Sequence, residues 1–355
     1  LSGVAALWAM MGGMKLLILG GGVFLGGATL DAAVRRGHSV TVFNRGRARS
    51  AWPAGVETIE GDRVSDLGRL AGRRWDAVID TCGYVPSDVL ASAQALRESG
   101  CYLFVSSISV YAKTDHAPLR ETDPLASATG IAPDDRNLEH YGPQKAACEA
   151  EVATVFGERA LLVRPGLIVG PGDRSGRFSH WPWRAASGGT MLVPDVADGE
   201  PLQFIDVRDL GDWMVRALEQ QERGVFNATG PVNDDPAETR VDWSTLITAC
   251  RAEVHTRGIT PAEPLRIAEA LLLDEKVQPW SELPLWLPST DPDYAGFNRA
   301  DLTRARAAGL RTRALCETIA AVLDEGVPTD PDDRRLKGKL TREREAALLA
   351  LRGTG

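Results

Sequence analysis

The sequence predicts an α/β chain, a doubly wound parallel sheet with a smaller C-terminal lobe. Three observations carry this. Short apolar, β-rich runs alternate with helix-length stretches as far as Gly170, the pattern of a parallel sheet with right-handed crossovers. The first of these runs ends in three consecutive glycines. After Gly170 the alternation breaks and Gly, Pro and Trp become frequent, as a second lobe would show. A chain of 355 residues has room for two lobes.

Taken in order, Lys15–Leu19 is a continuous apolar run and reads as a buried strand. Residues 28–36 read as the first helix, stopped at Gly37, and residues 39–43 as the second strand. A third strand should precede Gly61-Asp62. Residues 77–80 form the next strand, and residues 87–98, just after Pro86, a helix. Residues 102–105 are a strand, residues 141–155 a helix and residues 160–163 a strand. Residues 203–207 and 224–227 read as short strands that return to the sheet or lie beside it. Residues 328–333 resemble a linker, and residues 341–351 a terminal helix with Thr341 as N-cap.

Hydrophobic residues make up 44% and charged residues 25%, the balance of a soluble globular protein. The net charge of -8, without a basic stripe, argues against nucleic acid as a general partner, since phosphate neutralisation needs clustered Lys and Arg. Five cysteines without CxxC spacing speak for reduced thiols and a cytoplasmic protein, not a zinc site or a disulfide framework. The five histidines lack metal-ligand spacing, so no metal is expected. Residues 1–13 are apolar but lack a basic leader region, and Lys15 interrupts the run. They read as a disordered extension, neither a secretory signal nor a membrane span.

The turn Gly20-Gly21-Gly22-Val23-Phe24-Leu25-Gly26 lies between the first strand and the first helix. There glycines let backbone N–H groups approach a pyrophosphate, and the helix N-terminus favours its charge. The organisation expected is therefore a Rossmann dinucleotide-binding domain over residues 14–170, with 201–230 returning to it. A substrate lobe follows, built from 171–200 and 231–330, and then a tail over 331–355. Where NAD binders usually place an acid at the end of the second strand, this chain has Asn44, followed by Arg45 and Arg47. Guanidinium groups suit a 2′-phosphate and favour NADP over NAD, unless they are solvated loop charges. Asp62 is placed to meet the adenine edge, or simply to form its turn.

Tyr141 and Lys145 are four residues apart and so share one helix face. A phenol titrates near pH ~10, and a neighbouring ammonium with a cationic nicotinamide would lower it, letting the pair pass a proton. Ser107 follows the strand at 102–105, at the sheet end where open α/β sheets bind ligands.

In order, the glycine turn, Ser107 in SSISVYA, Tyr141 and Lys145 in YGPQK, RPGLIVGP at 164–171 and QFIDVRD at 203–209 resemble the extended and atypical short-chain dehydrogenases/reductases of the NAD-dependent epimerase/dehydratase family. The resemblance covers about residues 14–325. It implies that Ser107 holds the reacting oxygen, that Tyr141 is the general acid/base, and that Lys145 binds the nicotinamide ribose. It also implies that Pro165 lies against the nicotinamide and that Gly20, Gly22, Phe24, Leu25 and Gly26 cradle the pyrophosphate. By analogy it implies a homodimer through the helix from about Ser87 and the helix bearing Tyr141.

Departures from the family pattern narrow the substrate. Val23 replaces a glycine. Ile108 and Ser109 stand where sugar-nucleotide dehydratases have an acidic pair, which speaks against dehydration. Leu167 replaces an Asn common in nucleotide-sugar epimerases, and Leu202 an arginine that grips a substrate pyrophosphate. A non-nucleotide sugar, a polyol or a small ketone fits better. Three functions follow: an NAD(P)-dependent oxidoreductase, an epimerase that keeps its NAD bound, and an RNA-binding member of an atypical branch, against which the acidic charge argues. The remaining features have two readings each. His180-Trp-Pro-Trp183 stacks on substrate or packs a core, Tyr84 borders the nicotinamide or packs, and residues 280–288 form a lid or join the lobes. His38 reads as a helix-end residue, and Cys82 as no nucleophile.

Overall fold

Four of the five residues of β1 (Lys15–Leu19) are buried, and their side chains divide by parity. Leu16 and Ile18 face one helical layer, Leu17 and Leu19 the other. The computed structural model describes residues 13–47, 51–232, 240–330 and 333–351. The expected extension over residues 1–13 thus lies, except for Gly13, outside the described residues. From β1 the chain passes through α1 (Phe24–Arg35), β2 (Ser39–Asn44), β3 (Glu57–Glu60), β4 (Ala77–Asp80), α2 (Pro86–Ala95), β5 (Tyr102–Val105), α3 (Tyr141–Phe156) and β6 (Ala160–Pro165). β7 (Leu167–Val169), α4 (His180–Ala186), β8 (Thr190–Asp195), β9 (Phe204–Asp206), α5 (Val207–Glu219) and β10 (Gly224–Ala228) follow.

The seven-stranded sheet has the order β10-β6-β5-β4-β1-β2-β3, and every pairing in it is parallel. The order reverses between β1 and β4, which opens a crevice at their carboxyl ends. Leu25, Leu30, Leu210, Trp213 and Met214 of α1 and α5 cover one face. Val89, Ala93, Cys148, Val152 and Phe156 of α2 and α3 cover the other. This is the expected α/β doubly wound Rossmann sheet.

Three expected boundaries are corrected. α1 begins at Phe24, not at residue 28. Gly26 and Gly27 look like turn residues but lie within this helix, where Gly26 is needed because a Cβ there would lie 2.6 Å from the backbone nitrogen of Gly21. α2 runs over Pro86–Ala95 and gives way to turns before residue 98. The strand expected at 203–207 is only Phe204–Asp206, and it pairs with β7 in a separate two-stranded sheet. The Asp206 side chain accepts the N–H of Arg208 at 2.8 Å, and this N-cap turns Val207 into the first residue of α5. β10 does return to the main sheet, beside β6.

After β10 come α6 (Trp243–Thr256), β11 (Glu263–Ala268), α7 (Glu269–Asp274), α8 (Thr303–Ala307), α9 (Leu315–Asp324) and α10 (Arg342–Leu351). A second core gathers Trp181, Trp183, Trp243, Trp286, Leu246 and Leu192 around the parallel pair β8–β11. The segment over residues 333–351 belongs to that core. Leu348 is buried in it, Leu336, Leu340 and Leu349 pack on it, and Thr341 accepts the N–H of Arg344 as the expected N-cap. Among the described residues no helix is long and apolar enough to cross a membrane.

Candidate functional site

The glycine turn is built by close approach. A Cβ on Gly20 would lie 2.5 Å from Thr81 Oγ1, and one on Gly21 2.7 Å from Val42 Cγ1. Both residues have positive φ, 108° and 68°. Phe24, at φ 45°, opens α1 in a conformation that non-glycine residues rarely adopt. The N-cap Val23 supplies no side-chain acceptor and the first turn holds no acid, so the first N–H groups of α1 are left for an anion. The cradle therefore fits a dinucleotide pyrophosphate. Gly22 is half-buried, while the Leu25 side chain is buried in the core.

At the adenosine end, Asn44 is fully engaged. It donates to the carbonyl of Gly20 at 3.0 Å and accepts from the N–H of Gly46 at 2.7 Å. Arg45 and Arg47 are exposed. The Glu60 carboxylate crowds Gly46 between them, its carbon 2.7 Å from where a Cβ would be. Asp62 accepts the N–H of Val64 at 2.9 Å, which makes the turn that sequence reasoning held as its alternative role.

At the carboxyl ends of β4 and β5 three side chains converge. Lys145 is buried and donates to the carbonyls of Gly83 and Val105, each at 2.6 Å. Its ammonium also lies 4.2 Å from the Phe104 ring centroid, and burial lowers it to about 8. Ser107 accepts the N–H of Ser109 and donates to its hydroxyl, both at 3.1 Å. Gly142 lets α3 close on this loop, since a Cβ there would lie 2.3 Å from the carbonyl oxygen of Ser109. Burial raises the Tyr141 phenol, while the Ser107 hydroxyl and the charge of Arg177 pull it down. Tyr84, half exposed, stands 6.5 Å from the Tyr141 ring and 5.3 Å from the Lys145 ammonium, so it borders the site. Pro165 is the buried last residue of β6, paired with Ala228.

Sequence reasoning missed two groups. Beneath the crevice, Arg63 makes a bidentate pair with the fully buried Asp80, both bonds 3.0 Å, and donates to Ser92. Tyr102 donates to the same carboxylate at 2.8 Å. Burial pushes Asp80 up, and the charge and hydrogen bonds of Arg63 more than reverse that. The second group is Arg177, Asp173 and Lys339, from a loop before α4 and from the C-terminal segment. A Cβ on Gly176 would lie 2.1 Å from the carbonyl oxygen of Arg335, so loop and segment are pressed together. GD and DRS motifs in sequence give no hint of these pairings.

Other candidates resolve as packing. Trp181 and Trp183 are buried in the second core, with Trp181 edge-on to Trp243 at 4.8 Å. Trp286 is buried there as well, while Trp280 is half-buried. His38 accepts the N–H of Met14 and bonds Glu219 at 3.0 Å. Burial pushes the Cys82 thiol up to about 11, which suits no nucleophile. Leu202 is buried and lines a cavity of about 380 Å³ with Trp243, Leu285, Tyr294 and Asn298. Among the described residues no three His, Cys, Asp or Glu are grouped to hold a metal ion.

Residues 16–229 match the sequence family described as the NAD dependent epimerase/dehydratase family. A chloroplast stem-loop binding protein of 41 kDa from Arabidopsis thaliana is 27% identical over 254 residues, which are 66% of this chain and 62% of that protein. A 2-alkyl-3-oxoalkanoate reductase of Stenotrophomonas maltophilia is 29% identical over 210 residues, 54% of this chain and 62% of that protein. The chain thus matches about 62% of the length of each of these two relatives. Among solved structures, the Bordetella bronchiseptica enzyme WbmH with NAD+ superposes with a TM-score of 0.61 at 17% identity, over 88% of this chain and 99% of that one. The UDP-glucuronic acid 4-epimerase of Bacillus cereus with NAD gives 0.59 at 16% identity, over 88% and 98%. At these identities the structures show a shared fold.

Proposed function

The chain belongs to the NAD dependent epimerase/dehydratase family, and on that premise we propose that it is an NAD(P)-dependent oxidoreductase that interconverts a secondary alcohol and a ketone on a small polar, sugar-like or oxo-bearing substrate. The observation that carries this reading is the convergence of Ser107, Tyr141 and Lys145 at the carboxyl ends of β4 and β5, beside the glycine cradle. A nicotinamide held in this crevice would supply or take up the hydride. Ser107 holds the substrate oxygen, Tyr141 gives it or removes its proton, and Lys145 fixes the ribose side of the crevice. Buried Leu202 offers no cation to a substrate pyrophosphate, which favours a substrate without a nucleotide. The name of the Stenotrophomonas relative, an oxoalkanoate reductase, supports a ketone as the reacting group.

Arg45 and Arg47 favour NADP by their exposure, and the Glu60 carboxylate between them opposes it by charge. Side-by-side fluorescence titrations with NADPH and NADH test both points. Saturable binding is expected, tighter for NADPH; a protein that binds neither is not an NAD(P)-dependent enzyme. Nucleotide released on denaturation separates the epimerase reading, which requires NAD to remain bound through purification. RNA binding, which the name of the Arabidopsis relative raises, requires a stem-loop RNA to bind at physiological salt despite the net charge of -8.

A further inference from the structure

Asp80 closes β4 at the point where the strand order reverses, and its side chain is fully buried. The carboxylate accepts four hydrogen bonds: two from the Arg63 guanidinium at 3.0 Å each, one from Tyr102 at 2.8 Å and one from the backbone N–H of Cys82 at 3.1 Å. The same guanidinium donates to Ser92 Oγ at 2.9 Å and to the carbonyl of Asp88 at 3.3 Å, both in α2. Arg63 itself comes from the turn after β3, at the adenosine end of the crevice. One bidentate pair thus joins that turn, α2 and the turn that follows β4.

The turn over residues 80–84 touches both ends of the crevice. Thr81 Oγ1 donates to the carbonyl of Leu19 at 3.0 Å, and it is the atom that a Cβ on Gly20 or Gly26 would meet, at 2.5 and 3.1 Å. Gly83 is wedged between Phe104, Val89 and the Asp80 carboxylate, which leave 2.6, 2.8 and 2.9 Å for a Cβ. Its carbonyl accepts from Lys145 at 2.6 Å. A buried ion pair is weak evidence for stability, because apolar residues of similar size often serve as well. Here the burial is not even fully compensated, since Arg63 Nε has no partner among the described residues. What apolar side chains could not do is accept the N–H of Cys82 and so fix the direction of the turn.

We propose that Arg63 and Asp80 are positioning residues of the catalytic centre: their bidentate pair locks the turn over residues 80–84, so that one element braces the pyrophosphate cradle through Thr81 and holds the Lys145 ammonium through the Gly83 carbonyl. They act through the turn, not on the substrate. Because the two charges cancel, the pair fixes that ammonium without adding net charge beneath it. The charged groups that bear on Lys145 are Asp80, Arg63 and Glu149, and Glu149 is itself paired with Arg164 at 2.6 Å. The phenols and thiols of the site, Tyr84, Tyr102, Tyr141, Cys82 and Cys148, are all pushed up by burial and stay protonated near pH 8 in the cofactor-free protein. The proposal rests on Lys145 binding the ribose side of the cofactor.

The test is an NMR titration of the full-length, cofactor-free protein carrying lysine labelled with carbon-13 at Cε, in which the Lys145 signal is the one missing from Lys145→Met. The wild-type midpoint should fall near the value of about 8 that burial imposes. Asp80→Asn leaves the Arg63 charge unopposed and should move the midpoint down by about half a pH unit or more. Arg63→Gln leaves the Asp80 charge unopposed, still held ionised by Tyr102 and the Cys82 N–H, and should move it up by about as much. A pair that only stiffened the fold would admit water in either variant and move both midpoints up, towards ~10.4. Arg63→Lys keeps the charge and loses the fork, so its midpoint should stay near the wild type's. Its NADH affinity, read by fluorescence titration, should nevertheless fall about tenfold as Thr81 loosens against the cradle. Midpoints that move in the same direction in Asp80→Asn and Arg63→Gln, or undiminished NADH affinity in Arg63→Lys, overturn the proposal. If Asp80→Asn does not fold, the two Arg63 variants decide: a rise in Arg63→Gln alone supports the proposal, and equal rises in both overturn it. If the midpoints split as expected while Lys145→Met binds NADH like the wild type, the ribose reading of Lys145 fails and the locked turn stands. If Lys145→Met loses NADH affinity and the midpoints do not split, the reverse holds.

Discussion

Lys145 is buried between two backbone carbonyls, and that burial lowers its ammonium to about 8. An unfolded lysine titrates near ~10.4. Below pH 8 the folded protein therefore bears the full cost of the buried charge, and the cost fades as the pH rises from about 8 towards ~10.4, where the native lysine has lost its proton and the unfolded one has not. The unfolding free energy of the wild type relative to Lys145→Met should accordingly grow with pH across that window, by up to about 3 kcal/mol. Urea denaturation of both proteins at pH 7 and pH 10 measures this, and a difference flat in pH would count against it. Such a cost is tolerable where the residue serves chemistry. Tyr141→Phe isolates that chemistry by removing only the hydroxyl. Turnover should fall by roughly two to four orders of magnitude while NADH affinity holds. Full activity in that variant would remove Tyr141 from the mechanism.

Between elements, the glycine turn shows how local sterics set the site. Gly26→Ala places a Cβ 2.6 Å from the Gly21 nitrogen and 3.1 Å from Thr81 Oγ1, so α1 must shift away from the turn. A cost of about 1–3 kcal/mol and weaker NADH binding are expected. Its neighbour Gly27 has nothing within 4 Å of an added Cβ, so Gly27→Ala should be neutral or stabilise by about 0.5–1 kcal/mol, with cofactor affinity intact. Thermal melts and NADH titrations of the two variants check the pair; equal behaviour would show that close approach is not what the turn requires. The same elements show what a sequence can tell. β4 and β5 run over the residues expected, because a parallel strand buried on both faces is mostly apolar, as Ala77–Ile79 and Leu103–Val105 are. The Tyr141 helix and the cradle were legible because spacing and order are local. The partner of β9 was not, since alternation marks a strand without saying what it pairs with. Arg63 on Asp80, and Gly176 against the carbonyl oxygen of Arg335, were invisible for a similar reason: nothing local to either residue encodes a partner brought up by the fold.

On the scale of the whole molecule, the C-terminal segment ties the second core together through one buried ion pair. Both carboxylate oxygens of Glu345, in α10, accept from Arg184 Nε at 2.9 and 2.8 Å, and one also accepts the N–H of Leu192 in β8. Both side chains are less than a tenth exposed. Glu345→Ala would leave the Arg184 charge buried without a counterion, at a cost of about 3–5 kcal/mol. Replacing both partners, as in Arg184→Met with Glu345→Leu, should recover part of that loss, because the desolvation cost of the pair disappears with it while the buried N–H of Leu192 still loses its acceptor. No described residue of the segment belongs to the two cores flanking the main sheet. The damage from Glu345→Ala should therefore be local: hydrogen exchange should accelerate in β8 and α10 and stay slow in β1 and β4, and NADH should bind as before. If exchange accelerated equally across the main sheet, the two cores would unfold as one unit. If Glu345→Ala cost less than about 1 kcal/mol, the pair would behave as an exposed one and the segment would be held by its apolar contacts alone.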